Sequence, residues 1–526
     1  MRASLTYDNK FIRITDYKPI EMEQLKLSFT RKIPNWYIIK KKMPWVNENS
    51  SFINEYGFIP TGLWSLLVSV CQKYNYSLQF DDDFNCKIKN CSITFEKYKQ
   101  YIDTLFEKSE KIKPYNHQLE GAYRLVEYKK CCGQISTGAG KTLMGYMMFK
   151  YLTEELGVKH MLYITPSTDL TNQTADKFLL YEKECKKERD WEYGIIHSNA
   201  KKKKTYENDK IIFGNYQSLC KKKKDFFDMF DVVFVDECAH AQADSIKNII
   251  TKCQNAEYVF GVTGTFPKED TYENLVIQSY IGPVIYNYSS FELINEAKQA
   301  TPVYACGFLL DYLEDDKKEN LFNIRGFVNK ENPDEGSKVL NIEKEVARNS
   351  YKRLKFICDL VKKTTKNTLV LFTDVKNEYG RKIYNNVKET SDKQVFYVDG
   401  GINSDYRENA KQMMEEDTTG NTVIVASIGT YGEGIDIANL WNIILVETTK
   451  SDGQMGQILG RGMRQYPGKD KVILIDIGDD FRYGGGHKNN NYLYKHFKER
   501  EKIYKERKFP YSLNSINLKD NLSKLF

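Results

Sequence analysis

Short, continuous runs of apolar residues recur along most of this chain and constrain its fold more than any other feature. A first series reads MLYITP from residue 161, KIIFGN from 210, DVVFVDE from 231 and EYVFGVTG from 257. A second series reads NTLVLFTD from 367, QVFYVDG from 394, NTVIVASIG from 421, NIILVE from 442 and KVILIDIG from 471. Helical stretches separate the runs, which is typical of parallel sheets covered by helices on both faces. The sequence therefore predicts an α/β protein with two parallel-sheet domains in tandem.

A glycine-rich segment, GQISTGAGKTLMGYMMF from residue 133, opens the first series. Its glycines, Gly138 and Gly140, would let backbone N–H groups close on a triphosphate. Lys141 would meet the β and γ phosphates, and the Thr142 hydroxyl would hold Mg²⁺. The full G-x-x-x-x-G-K-T pattern needs a glycine where this chain has Ile135. We expect Ile135 to pack beneath the loop, and the match is incomplete on its own.

Two acids, Asp236 and Glu237, end the apolar run that begins at residue 231. Open parallel sheets bind their ligands at the carboxyl ends of strands, so both acids should emerge near the phosphates. We expect Asp236 to hold Mg²⁺ through its water shell and Glu237 to orient and deprotonate the attacking water. A strand-end turn with two solvated acids is the alternative, which the phosphate loop in the same sheet disfavours.

Residues 1–95 differ from the rest of the chain. Leu63, Leu67 and Val70 recur at helical spacing, and aromatic, basic strands such as NWYIIKKK (35–42) precede them. This combination indicates a small α+β domain. Aromatic rings interleaved with lysines in 36–45 fit either stacking on nucleic acid or the apolar face of a small sheet.

Three further segments connect or follow the predicted domains. A charged helical connector is predicted for 96–113, and an acid-rich, irregular linker for 284–345. In the last segment, 483–526, a basic helix is predicted, with Phe497 and Tyr504 on one side. We expect this helix to dock on the second domain, with its basic side either touching phosphates or simply solvated.

Composition limits the partners and the compartment. The net charge of +7 permits a polyanionic partner without requiring one. The eleven cysteines are scattered without C-x-x-C spacing, so buried free thiols are expected rather than a zinc site. No run approaches the roughly 18 apolar residues of a membrane span, and the start, MRASLTYDNK, lacks the apolar region of a signal peptide. We expect a cytoplasmic protein, monomeric and without a membrane partner.

Two arginines, Arg461 and Arg464, lie three positions apart on a predicted helix and would share a face. If that face met the phosphate loop across a cleft, both could act as arginine fingers on the γ phosphate. Such fingers contribute about 10³ to 10⁵ in rate where they have been measured. An ordinary salt-bridged helix is the alternative.

Seven motifs follow one another at strand ends between residue 114 and about residue 480. They read NHQ, STGAGKT, ITPSTDL, DECAH, VTGT, YGEGID and QILGRGMR. In this order they resemble the motifs of superfamily 2 helicases, which are built from two RecA-like domains with ATP between them and nucleic acid across their top. The resemblance implies RecA-like domains at 114–283 and 346–482, preceded by the small α+β domain as a DNA-recognition module.

The resemblance also implies roles for individual residues. Gln118 would read adenine and so favour ATP, and Asp436 would lie near the ribose. The nucleotide-binding set is Gln118, Gly138, Ala139, Gly140, Lys141, Thr142, Gly434 and Asp436. The DNA-contacting set is Thr165, Pro166 and Ser167, with Thr430 and Gly432 as weaker candidates. Thr263, Gly264 and Thr265 would couple hydrolysis to DNA movement, and Gln457 begins the arginine motif.

One departure concerns the D-E-x-H/D box. Ala239 occupies its fourth place, and His240 follows one residue later. The partner that normally couples this box to Thr263 and Thr265 is therefore absent or shifted. We expect His240 to assume part of that role.

The motifs together predict an enzyme that hydrolyses ATP with Mg²⁺ and moves on DNA. The expected activity is unwinding or migrating branched DNA, such as forks and Holliday junctions, in recombination, replication and repair. An RNA helicase, or a duplex translocase that does not separate strands, is the main alternative, because no motif senses the 2′-OH. A non-catalytic binding module would not need the intact Lys141 and Glu237. The motor half of a restriction system would need a P-D-x-D/E-x-K nuclease motif, which the sequence lacks.

Overall fold

The protein is represented by a computed structural model that describes residues 1–34, 36–185, 189–200, 205–239, 243–295, 300–325, 335–373, 375, 378–432, 437–447, 452–483 and 491–518. The chain divides into two compact units, Met1–Ser289 and Ser290–Phe526. Among the helices of the described residues, none combines the length and the apolar character needed to cross a membrane.

The first unit begins with a small α+β region. Its elements are β1 (Arg2–Leu5), β2 (Phe11–Thr15), α1 (Pro19–Ser28), β3 (Thr30–Lys32), α2 (Trp36–Lys42), β4 (Asn49–Ser51), β5 (Phe58–Pro60), α3 (Trp64–Lys73), β6 (Gln79–Phe80), α4 (Phe84–Ile88) and α5 (Phe95–Leu105). The strands form a four-stranded sheet in the order β5-β2-β1-β6 and a separate β3-β4 pair. Alternate residues of β2, Ile12 and Ile14, are buried with Leu25 of α1 and Leu67 of α3. One face of the sheet therefore carries the core of this region.

The predicted strand at 35–42 is wrong, because Trp36–Lys42 form helix α2. None of its residues is buried, so the segment has no apolar face to pack on a sheet. A helix satisfies its backbone hydrogen bonds internally, whereas a strand needs a neighbour. Lys40 also lies one helical turn after Trp36, and its Nζ sits 4.5 Å above the indole ring. This cation–π contact between positions i and i+4 favours the helix.

A parallel sheet completes the first unit. Its elements are α6 (Asn116–Glu127), β7 (Lys130–Ile135), α7 (Lys141–Glu154), β8 (Met161–Thr165), α8 (Thr168–Glu184), β9 (Glu192–Ile196), β10 (Asp209–Asn215), α9 (Tyr216–Leu219), β11 (Val232–Asp236), α10 (Ala243–Lys252), β12 (Tyr258–Thr263), α11 (Tyr272–Tyr280) and β13 (Val284–Tyr288). Seven strands pair in the order β13-β7-β12-β11-β8-β10-β9, and every pairing is parallel. Because β7, β12 and β11 are neighbours, their carboxyl ends lie side by side.

The second unit holds another seven-stranded parallel sheet. Its elements are α12 (Ser290–Asn295), β14 (Val303–Asp311), α13 (Glu314–Arg325), α14 (Glu335–Asn349), α15 (Tyr351–Lys363), β15 (Thr368–Phe372), α16 (Tyr379–Thr390), β16 (Gln394–Val398), α17 (Ser404–Glu416), β17 (Thr422–Ser427), α18 (Ile428–Gly432), β18 (Asn442–Leu445), α19 (Asp452–Gly462), β19 (Val472–Asp480), α20 (Tyr492–Glu506) and β20 (Tyr511–Asn517). The strand order is β16-β17-β15-β18-β19-β14-β20. The tandem parallel-sheet architecture predicted from the apolar runs is confirmed.

Some segments are more regular, and some thiols more exposed, than the sequence suggested. The region 284–345 was expected to be irregular, yet it supplies β13 to the first sheet and β14 to the second. The C-terminal segment supplies α20, as predicted, and also edge strand β20, whose residues are mostly exposed and so give no apolar signal. Among the cysteines expected to be buried, Cys86 and Cys91 are exposed.

Glu343 of α14 anchors the beginning of α20. Its carboxylate accepts hydrogen bonds from the backbone N–H groups of Tyr492 (3.1 Å) and Leu493 (2.9 Å). These donors belong to the first turn of α20, where N–H groups have no partner within the helix. Burial outweighs these bonds and raises the pKa of Glu343 to about 7.

We expect Glu343 to make the second unit less stable as the pH rises. Its pKa in the folded state, about 7, exceeds the ordinary value of 4.5, so the folded state binds the proton more tightly. The stabilisation is complete below about pH 4.5 and is lost as the pH rises through 7, a change of about 3 kcal/mol. Glu343→Gln should remove this dependence in unfolding free energies measured between pH 5 and pH 8. The same substitution at exposed Glu314 should leave it intact, and an unchanged slope in Glu343→Gln would contradict the assignment.

Candidate active site

The loop between β7 and α7 has the backbone of a phosphate-binding loop. Gly138 and Gly140 adopt φ angles of +91° and +92°, a left-handed region that side chains disfavour. Gly140 is the N-cap residue of α7, so the free N–H groups of that helix follow the loop directly. Ile135, which replaces the first glycine of the motif, is fully buried at the end of β7, as expected for packing beneath the loop.

Gln118 of α6 fixes the position of this loop through a hydrogen bond. Its Nε2 donates a hydrogen bond of 2.9 Å to the carbonyl of Ala139, and its Oε1 accepts one of 3.0 Å from the N–H of Tyr115. A Cβ atom on Gly140 would lie 2.2 Å from Gln118 Nε2, so the close approach requires glycine. Gln118 therefore contacts the phosphate loop itself, and the reading of adenine stays a prediction.

A buried cluster joins the ends of β7, β11 and β12. Lys141 Nζ lies 2.8 Å from Glu237 Oε1, and both side chains are nearly buried. The Thr263 hydroxyl donates to Glu237 Oε2 at 3.1 Å, and the Gly264 N–H approaches the same oxygen at 3.5 Å. Glu237 has a left-handed φ of +50°, a strained backbone for this residue type. The predicted lysine, acid and threonine are thus in contact, as expected for residues near the carboxyl edge of a parallel sheet.

Neighbouring charges shift the pKa values of Asp236 and Lys141. Burial and the neighbouring Glu237 raise the pKa of Asp236 to about 6, against a smaller opposite effect of Lys141. Burial lowers the pKa of Lys141, but Glu237 and Asp236 more than offset it, so the net shift is upward. Lys141 therefore stays protonated at neutral pH and can bind an anion.

Thr142 and Asp236 are the predicted ligands of Mg²⁺. Thr142 follows Lys141 at the start of α7, and Asp236 is the last residue of β11. Asp236 is 8% exposed, and its Oδ1 accepts a hydrogen bond from the N–H of Glu237 at 3.0 Å. One hydroxyl and one carboxylate suit a cation that keeps several waters and shares phosphate oxygens. These residues fit Mg²⁺ bound together with a triphosphate.

The predicted DNA-contacting residues of the first unit lie at the end of β8 and in the turn that follows it. Thr165 is fully buried, and its hydroxyl lies 2.6 Å from that of Thr171. Ser167 caps α8 by accepting a hydrogen bond from the N–H of Leu170. Pro166 and Ser167 are half-buried. The side chain of Thr165 therefore shapes the turn, and any contact with DNA here falls to the backbone and its neighbours.

In the second unit, Thr430 and Gly432 lie in the short helix α18. The Thr430 hydroxyl is 2.8 Å from that of Ser427 at the end of β17, and Thr430 is 7% exposed. This places it, like Thr165, in the framework of a strand-end turn. Among the remaining predicted residues, His240, Gly434 and Asp436 lie outside the described residues.

The arginine motif occupies α19 and the turn that follows. Gln457 and Arg461 belong to the helix, but α19 ends at Gly462, so Arg464 does not share its face as predicted. The carbonyl of Arg464 accepts hydrogen bonds from Lys469 Nζ (2.9 Å) and from the Thr301 hydroxyl (3.1 Å). These contacts turn the chain out of the helix. The sequence predicts no role for Lys469, which ends the segment QYPGK, and the contact with Arg464 emerges only from the structure.

Two protein-family models match the chain, one in each unit. The model described as type III restriction enzyme, res subunit, matches residues 102–268. The model described as helicase conserved C-terminal domain matches residues 352–465. The first match contains the phosphate loop and Glu237, and the second ends one residue after Arg464.

Individual relatives agree with these models. The chain is 26% identical over 476 residues to the ATP-dependent DNA helicase UvsW of Enterobacteria phage T4, covering 88% of each protein. It is 24% identical over 200 residues to a type I restriction enzyme endonuclease subunit of Staphylococcus saprophyticus, covering 35% of this chain and 20% of that subunit.

Solved structures share the fold. The ATP-dependent type ISP restriction-modification enzyme LlaBIII bound to DNA superposes with a TM-score of 0.55 and 16% identity, covering 86% of this chain and 34% of that one. Saccharomyces cerevisiae Dbp5 bound to RNA and ADP BeF3 gives 0.51 and 13% identity, covering 82% of this chain and 97% of that one. Taken together, the two family models and the phage relative show that the chain is similar to the helicases of superfamily 2.

Proposed function

We propose that this chain is an ATP-driven, Mg²⁺-dependent DNA motor that unwinds or migrates branched DNA in recombination, replication and repair. The observation that carries the proposal is the contact of Lys141, at the start of α7, with Glu237, and of Glu237 with Thr263, at two neighbouring strand ends. It brings together a phosphate-binding cation, a general base and a hydroxyl that contacts that base. Such a set is suited to transferring a phosphoryl group to water.

The ion pair between Lys141 and Glu237 suggests an order of events on nucleotide binding. Lys141 is paired with Glu237, so an incoming triphosphate must draw the ammonium group away from the carboxylate. Glu237 then accepts the proton of the attacking water, while Lys141 and the N-terminus of α7 bind the phosphates. Bound Mg²⁺ would neutralise developing phosphate charge beside Thr142 and Asp236.

Thr263 connects this chemistry to the rest of the motor. Its hydroxyl contacts Glu237 and lies 3.3 Å from the carbonyl of Thr265. A change in the position of Glu237 therefore reaches the segment after β12 directly. We propose that this contact transmits the nucleotide state towards DNA.

We propose that the motor moves on DNA rather than RNA, because the relative that spans most of this chain is named a DNA helicase. Helix α2 adds a candidate contact. Lys40, Lys41 and Lys42 form its last turn, and Trp45, just beyond it, is 78% exposed. Lysines beside exposed aromatic rings suit phosphate contact and base stacking. We propose that α2 contributes to recognition of branched DNA by the small α+β region.

The test is steady-state ATP hydrolysis with no nucleic acid, single-stranded DNA, duplex DNA, a four-way junction and RNA. We expect the junction to stimulate turnover most, and the stimulation to require Mg²⁺. Changing Lys40, Lys41 and Lys42 together to Ala should raise the junction concentration needed for half-maximal stimulation about tenfold, and reduce its salt dependence. Basal hydrolysis should not change.

The other outcomes identify the alternatives. Stimulation by RNA alone would make the protein an RNA helicase. Stimulation by duplex DNA without strand separation would make it a translocase. Hydrolysis under none of these conditions would leave a nucleic-acid-binding module and would overturn the proposal.

A further inference from the structure

His117 stands beside Gln118 in the first turn of α6, and none of the motif roles includes it. The side chain is buried, with the residue 8% exposed. Its Nε2 lies 3.0 Å from the carbonyl oxygen of Ala139, the oxygen that also accepts a hydrogen bond from Gln118. A carbonyl can only accept, so Nε2 must carry the proton. Burial lowers the pKa of His117, which favours the neutral ring in this tautomer.

Aromatic stacking fixes the plane of this imidazole. The ring of Tyr288 lies parallel to it, with 4.3 Å between centroids and 5° between planes. Tyr115 is also nearly parallel, at 5.9 Å and 11°. The Tyr286 hydroxyl holds the backbone by donating to the carbonyl of His117 at 2.9 Å. With ring plane and backbone both fixed, Nε2 has one direction available, towards the phosphate loop.

Tyr288 also holds the start of the same loop. Its carbonyl accepts a hydrogen bond of 2.9 Å from the N–H of Ser136, the first residue after β7. The last residue of β13 therefore fixes one end of the loop through its backbone, and fixes the other end, at Ala139, through the ring of His117. Both contacts link the phosphate loop to the last strand of the first unit.

We propose that His117 is a positioning residue that sets the orientation of the phosphate loop for nucleotide binding. The peptide between Ala139 and Gly140 is trans, so its N–H points opposite to its carbonyl. Holding the carbonyl against α6 therefore turns the Gly140 N–H away from α6, to the side where a phosphate would bind. The inference rests on the proposed function, in that it concerns the same nucleotide site.

The arrangement makes a prediction about specificity. His117 acts on the loop that meets phosphates, which all nucleoside triphosphates share. Gln118 is predicted in addition to read the base. Loss of the His117 hydrogen bond should therefore weaken binding of ATP and GTP by the same factor, whereas Gln118→Ala should change their ratio.

The experiment compares His117→Phe, His117→Gln and Gln118→Ala. Phe keeps a ring to stack on Tyr288 but has no donor, whereas Gln supplies a donor without the ring. We expect His117→Phe to raise KM for ATP and for GTP about 3- to 10-fold, the range that one lost hydrogen bond gives. The turnover number should stay within about twofold, and His117→Gln should recover part of the loss.

His160 provides the matched control for a merely structural effect. It lies just before β8, at the opposite end of the same sheet, and its Nδ1 is 3.0 Å from the carbonyl of Asp209. His160→Phe should lower the unfolding temperature without changing KM. An unchanged KM in His117→Phe would overturn the proposal. So would a change in KM that His160→Phe shows to the same extent.

Direct binding of a fluorescent ATP analogue separates this inference from the proposed function. If the wild-type protein binds the analogue but hydrolyses no ATP, the motor proposal fails while the dissociation constants still test His117. If hydrolysis is normal and the dissociation constant of His117→Phe equals that of the wild type, only the His117 proposal fails.

Discussion

Replacing Glu237 by Gln should lower the ATP turnover number by about 10³-fold, the middle of the range for loss of a general base. Gln has almost the same shape and can still contact the Thr263 hydroxyl and the Gly264 N–H, which both approach Oε2. It cannot accept the proton of the attacking water. The fold and the loop should therefore persist while the chemical step fails.

The same substitution should tighten nucleotide binding. Glu237 Oε1 lies 2.8 Å from Lys141 Nζ, with only 12% and 10% of the two side chains exposed. ATP must break this nearly buried ion pair before the lysine can bind phosphates. A neutral amide holds the ammonium group more weakly, so the dissociation constant for ATP should fall several-fold. Turnover and affinity thus move in opposite directions, which general unfolding could not produce.

The measurement pairs steady-state hydrolysis with equilibrium binding of ATP. Glu257→Gln is the matched control, because Glu257 precedes β12 at the other end of the same sheet and forms an exposed ion pair with Lys129. That variant should match the wild type in both quantities. Turnover by Glu237→Gln above about a tenth of the wild-type value would show that another group accepts the proton.

The sequence predicted the site well where strand position alone determines it. Asp236 and Thr263 each end a buried strand, and Glu237 follows Asp236 directly, while parallel strands bring their carboxyl ends to one edge. The length and composition of the apolar runs are therefore enough to predict that these residues lie near the phosphate loop.

Prediction from sequence is weaker where tertiary contacts determine the secondary structure or the burial of a side chain. Strand β20 lies at a sheet edge with mostly exposed residues, so it lacks the apolar run of a central strand. The sequence of helix α2 predicts a strand instead, because short segments rich in aromatic residues fit both patterns. The buried side chain of Thr165 and the anchoring by His117 depend on which neighbours the fold supplies, and a motif does not specify those neighbours.

A buried ion pair ties together much of the second unit. Arg353 of α15 donates from Nε and Nη2 to the two carboxylate oxygens of Asp479 in β19, at 2.7 and 3.0 Å. Its Nη1 reaches the Tyr379 hydroxyl at 2.7 Å, and Nη2 also reaches the carbonyl of Val446 at 2.8 Å. The Tyr312 hydroxyl completes the cluster by donating to Asp479 at 2.8 Å. Two helices and the strand ends of the sheet thus meet at one guanidinium group.

Asp479→Leu should therefore destabilise the second unit by about 3–5 kcal/mol, because it leaves the Arg353 charge buried without its carboxylate. The double variant Arg353→Met/Asp479→Leu removes both charges and should cost less than the single variant, although Tyr312 and Tyr379 lose partners. Hydrogen exchange in β15 and β18 at increasing urea concentration would measure the opening free energy of this unit.

The exposed pair of Glu408 and Lys411, 2.9 Å apart, provides the comparison. Glu408→Ala should change the same free energy by less than about 1 kcal/mol, because exposed ion pairs contribute little. If the double variant were as unstable as Asp479→Leu, the uncompensated charge of Arg353 could not be the cause of the instability. The stability of the second unit would then depend on the hydrogen bonds of Tyr312 and Tyr379 rather than on charge compensation.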